Sequence, residues 1–532
     1  MAYRGLKITL PVALQGFHGS RNPSTLGPGN LSYAEGVDLD GNVVVKDGGA
    51  EKLNSSALGG GAEILSGFNW TPVSGVSADY VVLDTGDILK DTGAGTFATN
   101  MGTINAPSVH RPHFVTGGGE SAGAARKLFI FSDSDQVQVA SGNGAVVADI
   151  STPAADWTSG SFPIFGVQHA FRLWGAGNAS DPHRVYYSNP DDHEDFLGTG
   201  SGQLSVYPGE GDQIVAGLSF RGFLILFKYP SGIYIIDTTD PTPANWSVQR
   251  LNSAVGTSGP YGIVQISNDV IIFDPGGTFH LLSAVQDFGD INTSDISRLV
   301  QLSTFIRSDV NLSAVQKVMG AWYAAKSKAW FMLPSSGSTD NDLRIMIDFN
   351  DPQIGPRYFL SRRDVGTAIW MRPSDAGIKK PTLGDEEGFV WLMDQDARQK
   401  DGATYTMELH TAEEDMSFAD PGLAGTTKNG QFLEIVADLV ANTIVNVTPI
   451  WDGLESDPIA VSLGSTGVAL GSFVLGTHAL AATGIVTARE KLTGQGRRLK
   501  LEIENSTMGD EVRISEVRVE VGVADERIRY GE

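Results

Sequence analysis

Residues Gly211–Asp237 read GDQIVAGLSFRGFLILFKYPSGIYIID. An apolar strand runs from Ile214 into a glycine turn. FLILF follows at Phe223–Phe227, then a Pro230-Ser231-Gly232 turn, then IYIID at Ile233–Asp237. Three short apolar runs joined by tight turns predict an antiparallel meander. FLILF has no polar alternation, as expected of a strand buried on both faces.

The same arrangement recurs at a period of roughly 45–60 residues, the mark of blades or arrays. It is seen in Gly67–Lys90, in Lys127–Ala140 (KLFIFSDSDQVQVA) and in Gln168–Asn189. It returns in Gly262–Leu282, Val318–Asp348 and Thr367–Asp394. Several strands end in Asp before a glycine turn, because an Asp carboxylate accepts the amides that follow it. About seven such units predict an all-β fold, a β-propeller over 61–400. Ahead of it lies an N-terminal arm, 1–60, with a hairpin at Gly36–Lys46. A polar linker spans 401–430. In 431–532, Leu499, Leu501 and Ile503 alternate with Lys500, Glu502 and Glu504, which predicts a C-terminal β-sandwich with one wet side. One insertion, Thr293–Val310, places Ile296, Leu299, Val300 and Phe305 near helical spacing. It predicts a short helix capped by Thr293 or Ser294.

Composition agrees with this frame. The chain has 532 residues, 64 of them glycine and 24 proline, and 41% are apolar, so it is not a disordered polymer. Acidic residues outnumber basic ones by 62 to 38, a net charge of −24. That opposes a surface that grips nucleic acid by neutralising phosphates, though a polyanion can slide past a repelling wall. The absence of cysteine excludes disulfides, cysteine zinc sites and cysteine nucleophiles. Leu6–Leu14 is too short and too broken, by Lys7 and Pro11, for a signal peptide. Pro458–Ala488 carries no charge before Arg489, but its Gly, Ser and Thr content reads as strands and turns rather than a membrane span.

No motif assembles a catalytic, metal or cofactor site, and the chain is read as a non-enzyme without cofactor. Asp38, Asp40 and Asn42 open like a calcium loop, but Val43 stands where glycine is needed and Gly49 where glutamate is. Asp191, Asp192, His193, Glu194 and Asp195 are consecutive and cannot all face one ion. His110 and His113 have no third ligand nearby. Gly200-Ser201-Gly202 lacks a nucleophile elbow. Ser132–Asp135 is only part of a glycosidase Asp-box turn. Arg497, Arg498 and Lys500 are balanced by Glu502 and Glu504. The nine tryptophans read as packing between blades, with a carbohydrate platform as the second account.

Four segments resemble the β-propeller nozzle or tail-hub proteins of short-tailed bacteriophages. Pro28–Leu53 is similar to their opening, with Lys46-Asp47-Gly48 where Arg-Pro-Gly is usual. His169–Asn189 resembles their blade running from Arg-Leu-Trp to Val-Tyr-Tyr-Ser. Ile214–Asp237 and Gly494–Val521 resemble a second blade and the closing strands. The resemblance implies a structural virion protein, made in the host cytoplasm and assembled into the tail. It further implies a ring, most often a homohexamer, with the tail adaptor protein above and fibres or spikes at the side. Viral DNA would pass through the lumen without sequence-specific binding. The alternatives are a fibre-anchoring hub, or a propeller glycosidase or lectin acting on host-surface glycans.

Overall fold

The computed structural model describes residues 5–523, except 13–14, 21, 73–75, 108, 119–125, 142–146, 191, 284–294, 299, 364–365, 439–442 and 465–483. It is all-β with seven propeller blades. Blades 1 (64–103), 2 (113–149), 3 (165–205) and 4 (213–252) are four-stranded meanders whose strands pair in chain order. Blade 5 has three described strands, Ile263–Gln265, Val270–Asp274 and Thr278–Leu281. Blade 6 begins at Met319–Tyr323 and blade 7 at Ala368–Pro373. The first strand of blade 7 packs beside that of blade 1, which closes the circle.

Blade 7 takes its fourth strand, Gly49–Lys52, from the N-terminal side. The residues that follow that strand lock it. Leu53 N–H donates to the Val390 carbonyl at 2.7 Å. Asn54, buried, donates to Gly388 O at 2.9 Å and accepts from Val390 N–H at 2.7 Å.

The core lies between blades, and Phe223–Phe227 shows why its sequence looks as it does. Leu224 and Leu226 pack with Trp174, Val185 and Tyr187 of blade 3. Ile225 and Phe227 point the other way, to Val270 and Ile272 of blade 5. The period-2 alternation of a strand is intact, but both faces meet apolar neighbours. Fully burying each such side chain is worth ~1.5–3 kcal/mol.

Two compact units emerge. One holds 52–345 and 364–393; the other holds 1–51, 346–363 and 394–532. The second differs from the expected division into an arm, a linker and a separate C-terminal domain. Leu6–Leu10 pairs along Arg513–Val523 from Leu6↔Val521 to Leu10↔Val517, and Val44 and Val45 pair with Ile514 and Arg513. Asn30–Glu35 pairs with Met407–Thr411, a strand inside the expected linker, which in turn pairs with Leu499–Asn505. The arm and the C-terminal strands therefore share two seven-stranded sheets, because long strands such as Arg513–Val523 need partners on both edges. Within them Leu499, Leu501, Ile503, Val517, Val519 and Val521 are buried, as their alternation requires.

The insertion helix is shorter than expected. Helix α1 spans Leu302–Asp309 and starts after a left-handed Gln301 with no side-chain cap. Thr293, Ser294 and Leu299 lie outside the described residues. The Asp295 carboxylate accepts the backbone N–H of Ser297 at 2.9 Å, so a turn occupies the expected first helical turn. Leu302 and Ile306 are the buried face of α1, and Arg307 Nε donates to Gly276 O in the blade 5 turn. Of Pro458–Ala488, Ile459–Ser462 is a strand, Ile485–Lys491 begins another, and 465–483 lies outside the described residues. No described helix is long and apolar enough to cross a membrane.

Candidate functional site

The first strand of each blade lies innermost, so the starts and ends of these strands mark the two mouths of the propeller axis. Each mouth concentrates polar residues.

At the mouth where the strands start, Glu63 precedes blade 1, Arg111 precedes blade 2 and Lys317 precedes blade 6. Asp340 sits in the turn between the second and third strands of blade 6. Arg111, whose side chain is 3% exposed, lies 2.7 Å from Glu63 and 3.9 Å from Asp340. Lys317 donates to Asp340 at 2.7 Å. Burial works to raise the Asp340 pKa, but the Lys317 hydrogen bond and charge, with Thr339 and Arg111, outweigh it and hold the carboxyl below its usual value. The two cations thus neutralise the two carboxylates. Beside them, Tyr261 reaches from blade 5 to blade 2. Its hydroxyl donates to Pro112 O at 2.9 Å and its ring lies 5.1 Å from that of His113. Burial lowers His113 to about 4, so it stays neutral, and burial raises the Tyr261 hydroxyl. The axis is crossed by protein at this mouth, and its acids are committed to their own partners.

At the other mouth, the ends of the first strands of blades 1, 2 and 3 enclose a cavity of about 450 Å³. Phe68, Asn69 and Trp70 come from blade 1, Thr116 and Gly117 from blade 2 and Gln168 from blade 3, with Thr71, Gly118 and Arg126 beside them. Asn69 is held from behind: its amide donates to buried Asp79 at 2.8 Å and accepts from Ser77 at 2.5 Å. Burial raises the Asp79 pKa against the opposing pull of Arg372, which lies 2.8 Å away.

The residues that looked chemical in the sequence are dispersed. His193 is buried and accepts Gly118 N–H on Nδ1 at 2.6 Å. Glu194 pairs with Lys127 at 2.6 Å, and Asp195 accepts the amides of Leu197 and Gly198. Asp192 accepts Glu194 N–H, and Asp191 lies outside the described residues. His110 leans on Asp133 at 3.6 Å, while His113 stacks on Tyr261. In the hairpin, Asp38 accepts Leu39 N–H and Asp40 pairs with Arg513. The Ser201 hydroxyl donates to Gly198 O. Asp133 accepts the amides of Val109 and His110, and Asp135 that of Asn105, so Ser132–Asp135 staples the preceding loop. The Arg497 and Arg498 amides donate to Asp452, and Lys500 pairs with Glu502. Trp174 packs with Trp246 and Tyr187, and Trp157 with Phe196. Among the described residues no group of three or more His, Asp or Glu could hold a metal ion.

The Glu63–Arg111–Asp340–Lys317 cluster was not visible as a motif. Its one sequence signal is positional: Glu63 stands directly before its strand, and Arg111 and Lys317 stand two residues before theirs.

No family model matches this chain, and no curated protein does. Among solved structures it is similar to exo-β-1,3-galactanase from Phanerochaete chrysosporium, with 10% identity, 97% of this chain and 100% of that one covered, and a TM-score of 0.26. It is also similar to BBS1N in its complex with ARL6DN, with 9% identity, 66% and 96% coverage and a TM-score of 0.38. BamB from Moraxella catarrhalis matches with 7% identity, 66% and 100% coverage and a TM-score of 0.33. Likenesses of this strength carry no function to this chain.

Proposed function

We propose that this chain is a structural protein of a bacteriophage tail, a subunit of a nozzle-type ring below portal and adaptor. The observation that carries this reading is the plugged axis. Arg111 and Lys317 neutralise Glu63 and Asp340, and Tyr261 bridges blades 5 and 2. A propeller closed on itself with its acids committed suits a rigid wedge, and cyclic repetition of wedges makes a channel between subunits rather than through one. The four resembling segments support the same reading, and so does the net charge of −24. Part of that excess lines the lumen, so that DNA passes without being held.

The test is imaging of the purified chain mixed with its tail adaptor. A closed ring of about six copies is expected. A chain that stays monomeric with the adaptor present would overturn the reading. A ring whose lumen is neutral or basic would keep the ring and remove the repelling wall.

A further inference from the structure

The cavity at the ends of the first strands differs from the plugged mouth in one respect: apart from Asn69, its polar side chains have no partner among the described residues. Arg126 is exposed and, among the described residues, makes no ion pair or hydrogen bond within the chain. The same holds for the side chains of Gln168, Thr71 and Thr116. Trp70 is 2% exposed, and among the described residues its Nε1 has no hydrogen-bond acceptor. A buried donor without a partner is costly to keep unless something supplies the acceptor.

The walls are also built to hold a shape. Asn69 is fixed by Asp79 and Ser77, as described. The blade 2 side is braced by His193, which accepts Gly118 N–H, so the 189–198 loop supports the cavity from outside. Phe68 stacks on Phe114 at 5.8 Å between ring centroids.

The chemistry selects a ligand class. A volume of about 450 Å³ lies within the range of small-ligand clefts. The partly buried Phe68 ring beside the Gln168 amide and the Thr71 and Thr116 hydroxyls suits a sugar ring, which offers an apolar face and a rim of hydroxyls. The Arg126 guanidinium, without a partner among the described residues, adds a fork for a carboxylate. In a chain of net charge −24, an anionic ligand would otherwise be repelled, so the cavity's arginine, Arg126, is the decisive group. We propose that this cavity binds an acidic oligosaccharide, with a uronate-type carboxylate on Arg126 and the sugar hydroxyls on Gln168, Thr71 and Thr116. The proposal goes beyond the ring reading and stands whether or not the chain forms a ring.

The test uses the full chain, trigalacturonate as acidic probe and maltotriose as neutral probe of equal length, read by saturation-transfer NMR and calorimetry. Trigalacturonate is expected to bind and maltotriose to bind at least tenfold more weakly. Arg126→Ala should weaken trigalacturonate roughly tenfold or more. Thr71→Trp, which fills the cavity from its exposed side, should abolish binding, while Lys379→Ala, an exposed lysine of blade 7, should leave it unchanged. No binding at millimolar probe, equal binding of both probes, or indifference to Arg126→Ala would each overturn the proposal. Displacement of trigalacturonate by a short single-stranded DNA at lower concentration would overturn it in favour of a phosphate-backbone ligand.

Discussion

The ionisation of Glu414 is linked to folding. Burial pushes its carboxyl up to about 7, with Asp415 adding to the rise and Arg498 opposing it, and among the described residues one carboxylate oxygen has no hydrogen-bond partner. A folded-state pKa above the unfolded one means the native state binds the extra proton. Its contribution to stability is complete below the unfolded carboxylate value and is lost as pH rises through about 7. Glu414→Gln should therefore be more stable than the parent at pH 8, by ~1 kcal/mol after solvent screening, and indistinguishable from it at pH 4. Urea midpoints at the two pH values check this, and a gap that does not widen with pH would refute it. The Asp348–Arg357 pair makes the opposite case. Both side chains are fully buried at 3.1 Å, and Arg357 also donates to Gly41 O. Asp348→Ala strands a buried guanidinium and should cost ~3–5 kcal/mol in urea unfolding, whereas Asp348→Ala combined with Arg357→Met should recover much of that loss.

At the scale of single elements, two features hold the propeller. The strand Phe223–Phe227 serves two inter-blade cores at once, so Leu226→Ala and Ile225→Ala open cavities on opposite faces of one strand. Each should cost ~2–5 kcal/mol, and the double variant should be close to additive, since the two cavities share no lining. The clasp at Asn54 is the second feature. Asn54→Leu removes its bonds to Ser56 O, Gly388 O and Val390 N–H. It leaves two carbonyls and an amide to find other partners inside the fold. A loss of ~2–4 kcal/mol is expected, with earlier hydrogen exchange at Val390 than elsewhere in blade 7. The turn strands were legible because Asp and Gly mark them chemically. Helix α1 was placed too early because periodicity cannot see a preceding Asx turn at Asp295, which satisfies the local amides without a helix.

At the scale of the whole molecule, the unit built from 1–51, 346–363 and 394–532 is discontinuous in sequence. Residues 394–532 made alone would lack Leu6–Leu10 and Val43–Lys46, leaving one edge of Arg513–Val523 open while Lys428–Asp438 holds the other. That fragment is expected to be insoluble, and co-expression with residues 1–52 to restore solubility. A soluble, cooperatively melting 394–532 fragment would contradict it. The repeated meanders and their rough count were readable, because each blade is a local product of turn residues and apolar runs. So was the burial of Leu499, Leu501 and Ile503, because alternation is a property of adjacent residues. The partner of each C-terminal strand was not readable, since pairing of residues 6 and 521 depends on no local pattern. The same division holds for the candidate sites. The spacing of the His193 and Asp38 clusters is a property of adjacent residues and can be read from sequence. Sequence could not bring Glu63, Arg111, Lys317 and Asp340 together, nor Phe68, Arg126 and Gln168, because ring closure alone sets those distances. Neighbouring residues suffice to set short β-strands, their turns and their two-sided burial. Contacts between residues far apart in the chain set which termini share a sheet, which mouth is plugged and which, among the described residues, keeps unpartnered donors.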